Sequence, residues 1–208
     1  SDTGYVEIGE TVRFGYFKQG YDDLPMNKKV IDYIQEISND FKVDGQGLSA
    51  KDMLERFLFD ARLQHTPISR LSGGERRRLY LLRVLMMMPN VLVLDEPTVN
   101  LDSKSKSNFI KLIRLLKNRY GKTIIIASHD MDFVHKVSDY IYVVFNQKIV
   151  MQGTKYEIFK DPQKLKKYNL IPPKVMLFSD KVLTKKNIKI GYRDEINDLL
   201  KDIYRYVN

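Results

Sequence analysis

The order of hydrophobic and polar residues along the chain predicts an α/β protein, in which apolar strands are separated by amphipathic helices. Residues 91–94 (Val-Leu-Val-Leu) and 123–127 (Thr-Ile-Ile-Ile-Ala) are short apolar runs that are typical of buried strands. We expect the first of these strands to be covered on both faces. Between the two runs, the helix that begins at Ser103 is predicted to bury apolar residues at helical spacing, namely Phe109, Ile110, Ile113 and Leu116.

The N-terminal segments show a different pattern. Residues 5–17 alternate in polarity, which predicts a β-hairpin with a polar turn at Gly9 and Glu10. Residues 21–90 are predicted to be mostly helical, with a loop rich in Gly and Asp at residues 40–47. Ser49 stands three residues before an aspartate, a spacing that predicts a capped helix start. That helix is expected to bury Met53, Leu54, Phe57 and Leu58.

The C-terminal residues predict a second hairpin and a helical tail. The hairpin spans residues 140–153, and a short helix is expected around residues 156–159. Pro172 and Pro173 precede the tail, in which a helix is predicted from about residue 193 to residue 207. Its apolar residues form one continuous stripe: Ile196, Leu199, Leu200, Ile203 and Val207. By itself, this pattern predicts that the stripe packs on the chain's own core.

Composition and charge narrow the class of protein. The chain has 208 residues, of which 43% are hydrophobic, enough for one large domain or for a domain with an appendage. It contains no run of eighteen apolar residues, so we expect no direct insertion into a membrane. It also contains no cysteine, which excludes disulfides and thiolate metal sites and fits a cytoplasmic location.

The net charge of +9 is unevenly distributed. Residues 1–98 contain 13 Lys and Arg against 15 Asp and Glu, whereas residues 99–208 contain 22 against 11. A basic half can bind nucleic acid or anionic lipid. Because its lysines are scattered singly or in pairs, without interleaved aromatic residues, we favour the simpler interpretation that they lie on solvated helix faces.

Two clusters of polar residues are candidates for chemistry. Ser72, Gly73, Gly74 and Glu75 open a predicted helix, and the N-terminus of a helix attracts anions because its first amides lack partners. Asp95 and Glu96 follow the first buried strand directly. Open α/β sheets bind their ligands at this end of their strands. His65 and His135 are expected to be structural.

Taken together, LSGGE at residues 71–75 and VLVLDEP at residues 91–97 resemble the signature and Walker B motifs of ABC ATPases. Residues 99–102 are similar to the D-loop of that family, Gln19 to its Q-loop glutamine and His129 to its switch histidine. The resemblance implies a partial RecA-like core, with a mostly parallel sheet, from residues 1–20 and 91–170. It also implies a helical signature subdomain at residues 21–90 and a tail at residues 171–208 as a candidate dimerisation arm.

Two branches of the family are represented. Residues 1–98, with TPISRLSGGERRRLYLLR and MMMPNVLVLDEPT, resemble the second cassette of ABC-F translation-factor-type ATPases. Residues 99–208, with SHDMDFVHKVSDYIYVVFNQKIVMQGTKYEIF, resemble ATPase subunits of energy-coupling-factor importers. The D-loop departs from the usual ABC-F pattern, since Val99 and Asn100 stand where Asn and Asp are expected. The Arg76-Arg77-Arg78 run belongs to the ABC-F pattern and by itself predicts a solvated helix face.

The resemblance implies a mechanism in which two ATP molecules lie between two cassettes, in a homodimer, in a heterodimer or within one chain. Ser72, Gly73, Gly74 and Glu75 would close on the γ-phosphate held by the partner cassette. Asp95 would hold Mg²⁺, Glu96 would polarise the attacking water, and Gln19 would meet the metal or that water. His129 would contact the γ-phosphate, and Asp102 would link the two sites.

The phosphate-binding motif Gly-x-x-x-x-Gly-Lys-Ser/Thr does not occur in these 208 residues. Gly121-Lys122-Thr123 lacks the first glycine, because Leu116 stands in its place. The family's order of motifs puts the phosphate loop upstream of Gln19, before Ser1. We therefore expect this chain by itself neither to bind nor to hydrolyse ATP.

Three functions follow from these observations. The leading interpretation is an ABC-F-like ATPase that acts on the ribosome. The first alternative is the ATPase subunit of an energy-coupling-factor importer, which has a membrane transporter subunit as partner and lies at the inner face of the membrane. The second alternative is a non-catalytic ABC fragment that serves as a binding or dimerising module.

Overall fold

The structure is a computed structural model that describes residues 5, 7–18, 20, 23–37, 42–43, 46–47, 49–186, 191 and 193–207. The chain divides into two compact units, Ser1–Ser128 and His129–Asn208. Both units combine helices with strands, which confirms the predicted α/β class.

A parallel sheet forms the centre of the first unit. Its strands are β1 (Phe14–Phe17), β4 (Val91–Asp95) and β5 (Thr123–Ala127), in the spatial order β1-β4-β5. All of their pairings are parallel, with Phe14 opposite Val91 and Val91 opposite Thr123. The carboxyl ends of β4 and β5 therefore meet at one edge of the sheet, where Asp95 is paired with Ala127.

The hairpin predicted for residues 5–17 is wrong. Among the described residues of that segment only Phe14–Phe17 form a strand, and this strand pairs with β4 instead of with residues 5, 7 and 8. Asn90, just before β4, explains the difference. Its side chain accepts a hydrogen bond from Arg13 N (2.8 Å) and donates one to Thr11 O (2.7 Å). These contacts fix the start of β1 beside the start of β4.

The two faces of the sheet differ in burial. Phe17, Leu92 and Leu94 lie on the buried face, and the Phe17 ring contacts Tyr80 and Phe109 with centroid distances of 5.2 and 5.8 Å. On the other face Tyr16 and Ile125 are exposed to 56% and 53%. The prediction that residues 91–94 are covered on both faces is therefore wrong for this face, where Val91 and Val93 are only partly buried. The predicted burial of the strand at residues 123–127 is wrong at Ile125.

The described residues of the first unit form five helices. They are α1 (Val30–Ile37), α2 (Ala50–Arg56), α3 (Ala61–Gln64), α4 (Gly73–Met86) and α5 (Ser103–Asn118), with a 3₁₀ turn at Ile68–Arg70. Of these, α4 packs against β1 and α5. Ser49 caps α2 through a reciprocal capping box with Asp52, as predicted. His65 forms the C-terminal cap of α3. The predicted burial on α5 is confirmed for Phe109, Ile110, Ile113 and Leu116.

Two details of this region differ from the prediction. Lys42–Val43 (β2) and Gln46–Gly47 (β3) pair as antiparallel strands within the segment predicted to be a loop. Leu58 is exposed, whereas Met53, Leu54 and Phe57 are buried. The backbone of Leu58 has a left-handed φ of 63°, so the chain leaves the helix there and turns the side chain away from the core.

The second unit is built on an antiparallel hairpin, as predicted. Its strands β6 (Tyr140–Phe145) and β7 (Lys148–Thr154) are joined by Asn146 and Gln147, both of which have positive φ, as a tight two-residue turn requires. The helices of this unit are α6 (Met131–Val137), α7 (Lys155–Phe159), α8 (Pro162–Lys166), α9 (Lys174–Lys186) and α10 (Ile196–Val207).

These helices and β6 share one core, into which the tail contributes a residue. The core comprises Val134, Val143, Ile158, Phe159, Leu165, Val175, Met176 and Leu199. His135 is buried beside it, edge-on to the Phe159 ring, and burial lowers its pKa. The tail stripe is not continuously buried, because Ile196 and Leu200 are exposed although Leu199 is not.

Within the described ranges, no helix has both the length and the apolar composition needed to cross a bilayer.

Candidate active site

The first part of the site is the signature turn, defined here as residues 72–75. Ser72 caps α4: its Oγ accepts a hydrogen bond from Glu75 N (3.3 Å), and Glu75 Oε2 accepts one from Ser72 N (2.8 Å). This capping box fixes the turn, while Ser72 and Gly73 remain exposed to solvent. The positive end of the α4 dipole therefore lies at an accessible surface, as an anion site requires.

Gly74 lets α4 approach α5 closely. A Cβ atom at this position would lie 2.6 Å from Ser105 Cβ and still closer to Ser105 Oγ. Real Cβ atoms do not come so near to a neighbouring side chain, so a glycine is needed wherever two helices are this close. The signature turn is thus in direct contact with the first turn of α5.

Asp102 caps α5 at the same place. Its Oδ1 accepts hydrogen bonds from Lys104 N and Ser105 N, both at 2.9 Å, and its Oδ2 accepts one from Ser105 Oγ at 2.7 Å. The backbone and hydroxyl hydrogen bonds from Ser105 hold the pKa of Asp102 below its usual value. Ser105 therefore connects the predicted D-loop aspartate to the signature turn through Gly74.

The second part of the site is the end of β4, with the strand-end carboxylates Asp95 and Glu96. Asp95 is exposed, and Glu96 has a left-handed backbone with a φ of 42°. A non-glycine residue in this region stores strain of about 1–3 kcal/mol, which surrounding contacts must offset. Glu96 N donates to Ala127 O (2.9 Å), and Glu96 Oε2 accepts from Ser128 Oγ (3.2 Å). These contacts fix both the peptide and the carboxylate of Glu96.

A tight loop connects the strand end to α5. Val99 N donates to Glu96 O (3.3 Å), and Leu101 N donates to Thr98 O (3.2 Å). Asn100 has a φ of 60°. These turns carry the chain from Glu96 to Asp102 in six residues, so the strand-end carboxylates and the cap of α5 belong to one compact structure.

The prediction of a solvated arginine face is wrong for Arg77 and Arg78, which are each only 5% exposed. Arg77 Nη1 donates to Glu96 O (3.1 Å) and so joins α4 to the strand end. The Arg78 guanidinium lies over the Phe59 ring, 5.4 Å from its centroid, and desolvation lowers its pKa. Both arginines turn inwards because they find partners in the interior of the unit.

The structure thus brings Ser72, Gly73, Gly74 and Glu75 together with Asp102, and it links them through Arg77 to Glu96 and the adjacent Asp95. His129 belongs to the second unit, and its predicted role stays a prediction. Gln19 lies outside the described residues. Sequence analysis missed Arg77, Ser105 and Ser128. Only their position in the fold distinguishes them from other polar residues.

The side chains at the strand end can be compared with the ligands that Mg²⁺ prefers. Among the described residues, no group of three or more Asp, Glu, His or Cys side chains could hold a metal ion. Mg²⁺ does not need such a group at a phosphate site, because it keeps several waters and takes one or two carboxylates together with the phosphates. The exposed carboxylate of Asp95 at the strand end fits that donor set.

Comparison with known proteins gives consistent matches. Residues 9–99 match the family profile described as ABC transporter. An uncharacterized ABC transporter ATP-binding protein of Bacillus subtilis, YfmR, is 39% identical over 94% of this chain and 31% of its own length. The energy-coupling factor transporter ATP-binding protein EcfA of Methanocaldococcus jannaschii is 38% identical over 69% of this chain and 51% of its own length. EcfA2 of Clostridium perfringens is 44% identical over 50% of this chain and 37% of its own length.

The chain therefore spans between 31% and 51% of these relatives. Among solved structures, cbiO1 of Clostridium perfringens, part of an ABC transporter complex, superimposes with a TM-score of 0.60 and 28% identity. That match covers 81% of this chain and 67% of cbiO1. A dimeric ATP-binding cassette bound to ADP and phosphate shares the fold, with a TM-score of 0.55 and 20% identity over 69% of this chain and 63% of the cassette.

Proposed function

Because this chain belongs to the ABC superfamily of ATP-binding cassettes, we propose that it supplies the signature turn and the strand-end carboxylates of an ATP-hydrolysing pair of cassettes. One observation carries the proposal: α4 packs on α5 through Gly74 and Ser105, with Asp102 capping α5 at the contact. A turn that is built this firmly can present its amides to a phosphate without reorganising. The second cassette is the partner that brings the nucleotide.

In this arrangement Ser72, Gly73 and Gly74 bind the γ-phosphate held by the second cassette, and Glu75 keeps their turn in shape through the capping box. His129 contacts the same phosphate. Asp102 lies between the signature turn and the loop from β4, so it links the state of one site to the other.

The strand-end carboxylates have separate tasks. Asp95, with Gln19, would hold Mg²⁺, which neutralises charge on the phosphates when it is bound. Glu96 accepts a proton from the attacking water, and its fixed peptide keeps the carboxylate in place for that step. General-base assistance of this kind contributes a factor of about 10² to 10⁴ to the rate.

The test uses the complete protein that carries this segment. In the Glu96→Gln variant the side chain keeps its shape but cannot accept the proton, so we expect ATP turnover to fall about 10²-fold or more while ATP binding persists. Glu55→Gln is the matched control, because Glu55 lies exposed on α2 and its substitution removes the same charge. Equal steady-state hydrolysis by the Glu96→Gln variant and the wild type would show that Glu96 is not the base.

For the partner beyond the second cassette, the comparisons favour a membrane transporter subunit. Several relatives, among them the EcfA proteins of Methanocaldococcus jannaschii and Clostridium perfringens, carry the name of energy-coupling-factor ATPases. We propose that the protein couples ATP hydrolysis to such a subunit and lies in the cytoplasm against the inner face of the membrane.

The ABC-F interpretation stays as a second candidate, since the ABC-F-like motifs lie in residues 1–98 and the YfmR relative, not named as a coupling-factor subunit, spans 94% of this chain. Fractionation of cells that express the tagged complete protein separates the two. Recovery with an integral membrane protein after detergent extraction supports the transporter role. Co-sedimentation with ribosomes, retained in the Glu96→Gln variant with ATP, supports the ribosomal role.

A further inference from the structure

We propose that Arg77 is a positioning residue that holds the peptide of Glu96 in the orientation needed for hydrolysis. The inference rests on the proposed role of Glu96 as the base. It adds a residue of α4, outside the signature turn and the strand end, to the groups on which the chemical step depends.

The backbone of Glu96 provides the reason. With a φ of 42° it lies in the left-handed region, which a glutamate adopts only when its surroundings impose it. The peptide N–H is held by Ala127 O on β5, and the carboxylate is held by Ser128 Oγ just beyond β5. The carbonyl accepts hydrogen bonds from Arg77 Nη1 at 3.1 Å and from Val99 N at 3.3 Å.

Among these contacts, only the one from Arg77 comes from a helix. Arg77 as a whole is only 5% exposed, and a buried charge is retained only where hydrogen bonds compensate its desolvation. A charged donor makes a stronger hydrogen bond to a carbonyl than a neutral one does. If the Arg77 contact is lost, the peptide of Glu96 can rotate towards an unstrained conformation, and the carboxylate turns with it.

The position of Arg77 in the sequence gives this contact a second consequence. Arg77 stands two residues after Glu75, so it belongs to the same rigid first turns of α4 as the signature turn. The hydrogen bond from Arg77 to Glu96 O therefore connects the phosphate-binding N-terminus of α4 to the residue whose carboxylate acts at the end of β4. The alternative hypothesis is that Arg77 only stabilises the fold. The two hypotheses predict different kinetics.

The experiment compares Arg77→Met, Arg77→Lys and Arg83→Met in the complete protein. Methionine keeps the length of the buried stem without a donor, whereas lysine can still donate a single hydrogen bond. Arg83 is the matched control, because it lies on the same helix but pairs with Asp23 at 2.5 Å. We measure kcat and KM for ATP, the thermal midpoint, and hydrogen exchange of the peptide that covers residues 95–101.

We expect Arg77→Met to lower kcat roughly tenfold or more with KM changed by less than about twofold, and Arg77→Lys to recover part of the loss. Exchange at residues 95–101 should rise in Arg77→Met and not in Arg83→Met. In a Glu96→Gln background, Arg77→Met should have no further effect on turnover, because both changes act through one group.

An unchanged kcat in Arg77→Met, or an equal further loss in the Glu96→Gln background, would overturn the inference. Unaltered exchange at residues 95–101 would do the same. Failure of the proposed function looks different: Glu96→Gln then hydrolyses ATP like the wild type, or the wild type does not hydrolyse it at all. In that case the exchange measurement still decides whether Arg77 holds the Glu96 peptide.

Discussion

Gly74 allows α4 to approach α5 closely, because a side chain at this position would clash with Ser105. Ser72 and Gly73, which precede this glycine in the signature turn, are exposed, yet Gly74 itself is buried against Ser105. Its lack of a side chain is therefore a packing requirement, in addition to any role of its amide. Gly15 is similarly constrained, since a Cβ there would lie 2.8 Å from side-chain atoms of Val84 and Pro89, whereas a Cβ at Gly9 would lie 3.7 Å from Val12, an ordinary contact.

We predict that Gly74→Ala destabilises the first unit by about 1–3 kcal/mol, since overpacking of a close helix contact costs that much. Denaturant unfolding measures the change, with Gly9→Ala as the neutral control. Adding Ser105→Gly should restore part of the stability, because it removes the Cβ that the new methyl group meets. Additive effects of the two substitutions would mean that the helices are not in contact at this point.

At the scale of the elements, the tail helix α10 has a double character. Leu199 is completely buried in the core of the second unit, whereas Ile196 and Leu200 on the adjacent turns are exposed to 45% and 39%. The helix is also fixed by ion pairs, for example Arg193 with Asp202 at 2.6 Å. The stripe that the sequence presents as one surface thus has a buried member, Leu199, and two exposed members, Ile196 and Leu200, that are available to a partner.

This division sharpens the prediction that the tail is a dimerisation arm. We expect the double variant Ile196→Asp with Leu200→Asp to lose self-association in sedimentation while its thermal midpoint changes little. Leu199→Asp should instead unfold the second unit, because it buries an unpaired carboxylate. Full self-association by the double variant would assign the exposed residues no role in dimer formation.

The elements also show how far sequence alone leads. Prediction succeeded where neighbouring residues decide the outcome, as in the capping box of Ser49 and the apolar spacing of α5. It failed where a distant partner decides. Residues 5–17 have the alternation of a hairpin, but Asn90 aligns β1 with β4 from 77 residues away.

The site follows the same rule. The start of α4 at Ser72 could be predicted from the sequence because its polar turn is a local signature, whereas Asp102 was named only from the resemblance of residues 99–102 to a D-loop. Arg77 could not, since its role depends on a carbonyl that lies 19 residues further along the chain. Leu58 was predicted to be buried because periodicity does not reveal where a helix ends in a left-handed residue.

For the whole molecule, the predicted division into an ATPase core, a helical subdomain and a tail stays a prediction, beside the observed division into two units at Ser128. The first unit contains the signature turn, the strand-end carboxylates and Asp102, and the second begins at His129. Nothing in the 208 residues has the sequence of a phosphate loop.

We therefore predict that the 208-residue chain on its own does not bind Mg-ATP measurably. An affinity in the tens of micromolar corresponds to about −6 kcal/mol. The loss of three or more charge-assisted phosphate contacts, at about 1.5–3 kcal/mol each, removes most of that free energy. Titration calorimetry is the measurement, with the complete protein as the positive control. A dissociation constant below about a millimolar for the 208-residue chain would contradict the prediction.

The exposed face of the parallel sheet also affects the solubility of the purified chain. Tyr16 and Ile125 present aromatic and aliphatic surface to water, and among the described strands β5 is paired on one side only. Such a surface favours self-association, since apolar patches and unpaired strand edges both bind further copies of the chain. Light scattering per unit mass of protein should therefore rise with protein concentration. Sulfate should lower the solubility of the chain, because salts of this kind strengthen apolar association.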